Sequence, residues 1–112
     1  MNTRFKFRVP VISSNFEFIR FEYINWWEGY NESGYEPQEL IGVDKNKNDV
    51  FCGDIIRNIN THDFFVIEWC EDDYKYIGRG IEKDNKGQIC YINFEHHEVM
   101  GNTYENPELL DI

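Results

Sequence analysis

The chain has 112 residues, with 11 Lys and Arg against 21 Asp and Glu, for a formal net charge of −10. That length suits one domain and leaves no room for a second sizeable core. A binder of phosphate backbones carries the opposite sign, so nucleic acid is disfavoured as a partner of the chain as a whole. Hydrophobic residues make up 41% and aromatic residues 17%, too much apolar surface for an intrinsically disordered chain. No run approaches the roughly 20 apolar residues of a membrane span. The opening Met1 to Arg8 alternates charges with aromatics where a secretory signal has a continuous apolar region. Cys52, Cys70 and Cys90 are odd in number and widely spaced, without a Cys-x-x-Cys pair. That suits free thiols better than a disulfide framework or a structural zinc site. The expectation is an acidic protein of the cytoplasm, in no contact with a membrane.

In chain order, Arg4-Phe5-Lys6-Phe7-Arg8-Val9 alternates with a period of two, placing Phe5, Phe7 and Val9 on one face and three cations on the other. Pro10 disfavours continuation as a central strand. Ser13-Ser14-Asn15 reads as a turn and Asn15 to Tyr23 as a second strand. Its alternation breaks at Phe18-Ile19, where a bulge, or burial of both faces, accounts for the break. Trp26 to Tyr35 mixes aromatics with Gly, Asn and Ser, as a loop or an irregular strand pair does. Glu36-Pro37-Gln38-Glu39-Leu40-Ile41 predicts one helical turn with Pro37 at its first position. Asp44 to Asp49 is a polar turn between Leu40-Ile41 and Val50-Phe51, and Gly53-Asp54 opens the apolar run Ile55 to Ile59.

An antiparallel meander follows. Phe64 to Cys70 is rich in aromatic and β-branched residues that suit a pleated, half-buried surface. Glu71-Asp72-Asp73 turns the chain into Tyr74-Lys75-Tyr76-Ile77. Asp84 to Gly87 is a turn, Gln88 to Phe94 a strand, and Val99 to Asn102 a last short strand. Asn106-Pro107 caps a final helical segment. The fold class is mostly β with minor α. The expected architecture is a small SH3-like barrel or twisted antiparallel sheet, built from five short strands after Gly53 with the N-terminal strands packed on it.

Three blocks of the chain carry a family resemblance. Glu98-Val99-Met100-Gly101-Asn102-Thr103-Tyr104-Glu105-Asn106-Pro107-Glu108-Leu109-Leu110 resembles the closing signature of the YopX family, which reads near E-V-I-G-N-I-Y-E-N-P-E-L-L. Ile41 to Ile56 is similar to its T-G-L-x-D-K-N-G-K-E-I-Y-E-G-D-I-V, and Arg4 to Arg8 to its opening I-K-F-R. There are departures. Lys47 stands at the family's usual Gly, with Asn46 expected to supply a left-handed conformation instead. The segment is one residue shorter after Gly42, and Pro10 to Asn15 matches the family's aromatic-and-acid pattern poorly. The resemblance implies one β-rich domain over residues 1–112, of the kind encoded by bacteriophages and prophages of low-GC bacteria. It implies no activity, catalytic residue or cofactor. Gly53-Asp54 and Asn106-Pro107 also read as backbone devices, a turn into a strand and a helix start.

The residues themselves point away from catalysis. On a strand, His96 and Glu98 share a side that His97 does not, so His96-His97-Glu98 offers one imidazole per face, and neither His-Glu-x-x-His nor a calcium-loop pattern is present. Cys70 lies beside Glu71, Asp72 and Asp73, whose charge disfavours a thiolate, and Cys52 and Cys90 sit in aromatic contexts that read as core. No Ser lies in Gly-x-Ser-x-Gly, no Gly-rich phosphate loop occurs, and pairs such as Glu68 with Asp72 arise by chance among so many acids. The expectation is no enzyme, no metal and no cofactor.

The acids support a positive reading. Glu28, Glu32, Glu36 and Glu39 cluster beside Trp26, Trp27, Tyr30 and Tyr35, and Glu71, Asp72 and Asp73 form a second group. Such charge steers a protein to basic partners, and Trp and Tyr are enriched at binding hot spots. These eleven residues are the candidate partner-binding set, for a host or phage protein with a basic surface. Their alternative role is to keep an aromatic-rich domain soluble. The rival reading is weak nucleic-acid binding through a basic stripe of Arg4, Lys6, Arg8 and Arg20, with aromatics stacking bases. Exposed strand edges make a homo-oligomer a further expectation.

Overall fold

The computed structural model describes residues 6–24 and 37–111. The chain forms two compact units, Met1–Leu40 and Ile41–Ile112. In the first, β1 (Phe7–Ile12) and β2 (Phe18–Ile24) make an antiparallel hairpin. Ser13 organises its turn: its N–H donates to the Glu17 carbonyl at 2.8 Å, and its Oγ accepts from the Asn15 and Glu17 N–H groups. Val11 pairs with Arg20 but Ile12 with Phe18, so Ile19 is an extra residue on β2. This is the bulge that the broken alternation predicts.

The other side of β1 takes the start of β3 (Gln38–Val43), with Phe7 opposite Glu39 and Arg8 opposite Gln38. The sequence predicts a helical turn over this segment, and the ladder overrides it. Pro37 stands just ahead of the strand, where a missing N–H costs no ladder bond. β1 also runs through Pro10, which the sequence disfavours. Pro10 lies two residues past the last β3 pair, where β2 is its neighbour among the described residues, so it takes an edge-like position. The two-face reading of β1 fails at Arg8, which is 5% exposed. Its Nε donates to Gln38 Oε1 at 2.7 Å and its guanidinium lies 4.1 Å from the Phe21 ring centroid.

In the second unit β3 ends beside β4 (Asp49–Phe51). Then come β5 (Asp54–Asn58), β6 (Phe64–Cys70), β7 (Lys75–Gly80), β8 (Ile89–Tyr91) and β9 (His97–Asn102), in one antiparallel sheet of order β8-β7-β6-β5-β9. These are the five strands expected after Gly53, and the return of the last to the side of the first is compatible with a small barrel-like fold. The chain is mostly β, and a 3₁₀ helix at Pro107–Asp111 follows Asn106. The Asn106 carbonyl accepts the Leu109 N–H, while its side-chain oxygen turns back to the Asn102 N–H instead of capping the helix. β6 has the limits read from sequence, whereas β8 keeps only three residues of the expected Gln88 to Phe94.

Period-two alternation builds the core of this unit. Phe65 and Ile67 of β6 share a face with Ile56 of β5, which pairs with Phe65, and with Val50 they form the buried cluster. Ile41, Tyr76, Cys90, Ile92, Phe94 and Val99 pack around it. Gly80, opposite Phe65, closes the far end: a Cβ there would run into the Asn85 carbonyl. Buried Asn85 accepts the Glu82 N–H at 2.9 Å and donates to the Phe64 carbonyl at 3.4 Å.

Asp44, 5% exposed, ties the β3–β4 hairpin to the five-stranded sheet. Its Oδ1 accepts from the Asn46 and Asn48 N–H groups at 2.8 and 2.9 Å, and its Oδ2 from the Val99 N–H of β9 at 2.9 Å. Burial pushes the Asp44 pKa up. The amides of Val99, Asn48 and Asn46, with the Asn48 side chain, outweigh burial and hold it below the ordinary 3.8. The left-handed residue of this turn is Lys47 (φ 69°), not Asn46, whose N–H is held by Asp44.

Two expected outcomes follow from these contacts. A carboxylate whose pKa is lowered by folding contributes its full stabilisation above the unfolded value, near pH 4, and loses it as pH falls through the lower folded value. Asp44→Ala should therefore cost about 2–4 kcal/mol at pH 7, from the loss of three charge-assisted backbone hydrogen bonds. The variant should also show a flatter loss of stability between pH 4 and pH 2 in urea titrations. Lys47→Gly should stabilise by about 0.5–1 kcal/mol in the same assay, the relief of left-handed strain exceeding the added chain entropy.

Candidate functional site

In the second unit, exposed acidic and aromatic residues come together in sequence where β6 turns into β7. Cys70 pairs with Lys75, leaving Glu71-Asp72-Asp73-Tyr74 as a four-residue connection, exposed throughout. Tyr74 ends it in a left-handed conformation (φ 53°) with 81% of its surface open. Such a conformation costs an L-residue roughly 1–2 kcal/mol, and so exposed a ring regains little of it through burial.

One register step back, about 3.4 Å along the strands, Trp69 pairs with Tyr76. Their rings meet edge to face with centroids 5.1 Å apart. Trp69 continues the face of Phe65 and Ile67 but sits at its end, 46% exposed. On the opposite face the Lys75 ammonium lies 4.0 Å from the centroid of the exposed Tyr91 ring, and Glu68 is ion-paired to Arg79. The turn thus presents three carboxylates beside partly open indole and phenol rings.

Of the eleven residues predicted to bind a partner, the structure brings Glu71, Asp72 and Asp73 together on this turn. Glu39 lies in the other unit, half-buried in β3 opposite Phe7. Trp26, Trp27, Glu28, Tyr30, Glu32, Tyr35 and Glu36 lie outside the described residues. Sequence reasoning missed Trp69 and Tyr74. Trp69 alternates with Phe65 and Ile67 and so reads as core. Tyr74 reads as the first residue of the next strand, since only its φ reveals the role.

Other candidates resolve into structural work. His97 is buried, its Nδ1–H donating to the Asn93 carbonyl at 2.8 Å and its ring edge-on to Phe65. His96 Nδ1 lies 3.2 Å from the Asn60 amide nitrogen, and Glu98 pairs with Arg57 at 3.0 Å. Among the described residues no three His, Cys, Asp or Glu side chains are placed to hold a metal ion. Burial pushes the Cys90 thiol above its ordinary 9.0, with the Gly78 amide opposing and the charge of Asp63 adding to the rise. A pocket of about 320 Å³ beside Asp44, Lys45, Lys47, Phe94 and Glu95 contains a carboxylate, Asp44, already engaged by backbone amides. The basic stripe is broken, because Arg8 is buried and Arg20 pairs with Glu22 at 3.2 Å. Arg4 lies outside the described residues.

The motif residues also turn inward. Gly53 takes φ 91°, and the buried Asp54 accepts the Phe51 N–H at 2.8 Å. Asn102 Oδ1 accepts from the Tyr104 and Glu105 N–H groups, and Asn106 Oδ1 accepts from the Asn102 N–H at 3.2 Å. The Asn106 side chain occupies the space a Cβ on Gly101 would need.

These features define a small antiparallel β protein whose motifs hold its own backbone. The family described as YopX protein matches residues 27–111, and the chain belongs to that family. This membership suggests a phage-type accessory protein. The opening block Arg4 to Arg8 lies ahead of the matched residues. No curated protein matches the chain. Among the described residues no helix is long and apolar enough to cross a membrane.

If Tyr74 is held at a cost to the fold, Tyr74→Gly should raise the unfolding free energy by about 0.5–1 kcal/mol, visible as a higher Tm. A lower Tm would mean that the phenol ring packs in a way that repays its strain.

Proposed function

We propose that this protein is a non-enzymatic phage or prophage accessory protein that acts in the host cytoplasm by binding another protein, a host or phage factor with a basic surface. The observation that carries this reading is the β6–β7 turn, with Glu71, Asp72 and Asp73 exposed beside the open rings of Trp69 and Tyr74. The carboxylates and the net charge of −10 steer the protein toward basic surfaces and away from phosphates. Trp and Tyr supply large contact areas at a low cost in side-chain entropy. Family membership supports an accessory role. A second copy repeats the same acids and is a poor occupant of this turn.

A pull-down from host lysate, with and without competing DNA, tests the reading. The expected result is a protein captured regardless of DNA, less of it as salt rises, and none with the Glu71→Lys plus Asp72→Lys variant. Recovery of nucleic acid alone, or of nothing, would overturn the reading.

A further inference from the structure

The exposed rings at the end of the β6–β7 pair point to a particular cation. We infer that the exposed rings of Trp69 and Tyr74 receive arginine side chains of the partner, a guanidinium lying flat on a ring while the carboxylates of the turn neutralise its charge. The inference rests on the proposed function and names the chemistry of its partner. An apolar ligand is disfavoured here, because covering the rings would also strip water from Glu71, Asp72 and Asp73 without pairing them. A cation covers the rings and pairs the acids together.

Arginine fits better than lysine for physical reasons. Its guanidinium is planar, weakly hydrated and stacks on aromatic faces, whereas an ammonium holds its water tightly and offers no plane. The chain already builds both arrangements within itself: the Arg8 guanidinium 4.1 Å from the Phe21 centroid and the Lys75 ammonium 4.0 Å from that of Tyr91. The Arg8 example is buried, so this chain holds a stacked guanidinium out of water. At the turn, Trp69 is braced edge-on by Tyr76, leaving 46% of its surface open.

Two fluorescein-labelled twelve-residue Gly/Ser peptides, one with three Arg and the other with three Lys at the same positions, test this by fluorescence anisotropy on the full chain. Their charges are equal, so general attraction to an acidic protein affects both alike. The Arg peptide should bind about two- to five-fold more tightly for each side chain that stacks. Trp69→Leu and Tyr74→Gly should each reduce its affinity toward that of the Lys peptide and leave the Lys peptide unchanged. Tyr74→Gly relieves backbone strain, so its loss of affinity is not a loss of fold. Equal binding of the two peptides, abolished by Glu71→Lys plus Asp72→Lys, would overturn the arginine inference and leave the basic-partner reading standing. An Arg preference that survives both aromatic substitutions would also overturn it. Binding of neither peptide would overturn both readings.

Discussion

The second unit depends on one buried carboxylate. Asp44 accepts two amides of its own turn and a third from Val99, 55 residues further on. A carboxylate at 5% exposure is expensive unless its lone pairs are filled by donors. Here backbone N–H groups fill them, so one side chain fixes the turn after β3 and anchors β9. β9 in turn pairs with β5 and places Val99 opposite Ile56 in the core. Hairpin geometry, sheet closure and core packing therefore share one electrostatic contact. An amide or hydroxyl at position 44 would not reproduce it, because a neutral acceptor makes weaker bonds to the same three donors.

The same logic recurs along the motifs that mark the family. Asp54 holds the Phe51 amide inside the Gly53 turn, and Asn102 and Asn106 hold one another's neighbourhood after β9. Each such residue is a short polar side chain satisfying backbone donors that a tight turn would otherwise bury unpaired. The signature therefore specifies a fold and reports little about a target. The exposed acids of the β6–β7 turn lie outside that signature, between strands whose core faces are already filled.

Much of this was legible in the residues. Alternation in Phe64 to Cys70 is dictated by a core on one face, and the misplaced step at Phe18-Ile19 marks a bulge because an extra residue must flip the alternation. Pro37 misleads, since a Pro with fixed φ opens a helix or precedes a strand equally well, and only the long-range pairing of Gln38 and Glu39 with β1 decides. Lys47 misleads in a similar way: Asn46 is the better left-handed former, yet the turn places its positive φ one residue later, at Lys47. Arg8 reads as solvent-facing because alternation says nothing of a Phe21 and a Gln38 that cover it from elsewhere. The turn acids were visible in sequence, but the exposure of Trp69 depends on where the core ends, which no local pattern encodes.

Among the described residues, four that are not glycine take left-handed conformations: Phe16, Lys47, His62 and Tyr74. In three of these turns a nearby side chain accepts the amides. Ser13 does so for the Phe16 turn, Asp44 for the Lys47 turn, and Asn58, through Asn60 and Thr61, for the His62 turn. The β6–β7 turn differs. Among the described residues none of Glu71, Asp72 and Asp73 caps an amide of its own turn, although short acids are among the best residues for that task. Their oxygens are solvated, beside a tyrosine held at a backbone cost in the open. A turn selected only for folding would use such a side chain inward, as the other three turns do. A fold otherwise consistent with itself thus carries a local conflict at the turn proposed to meet a partner.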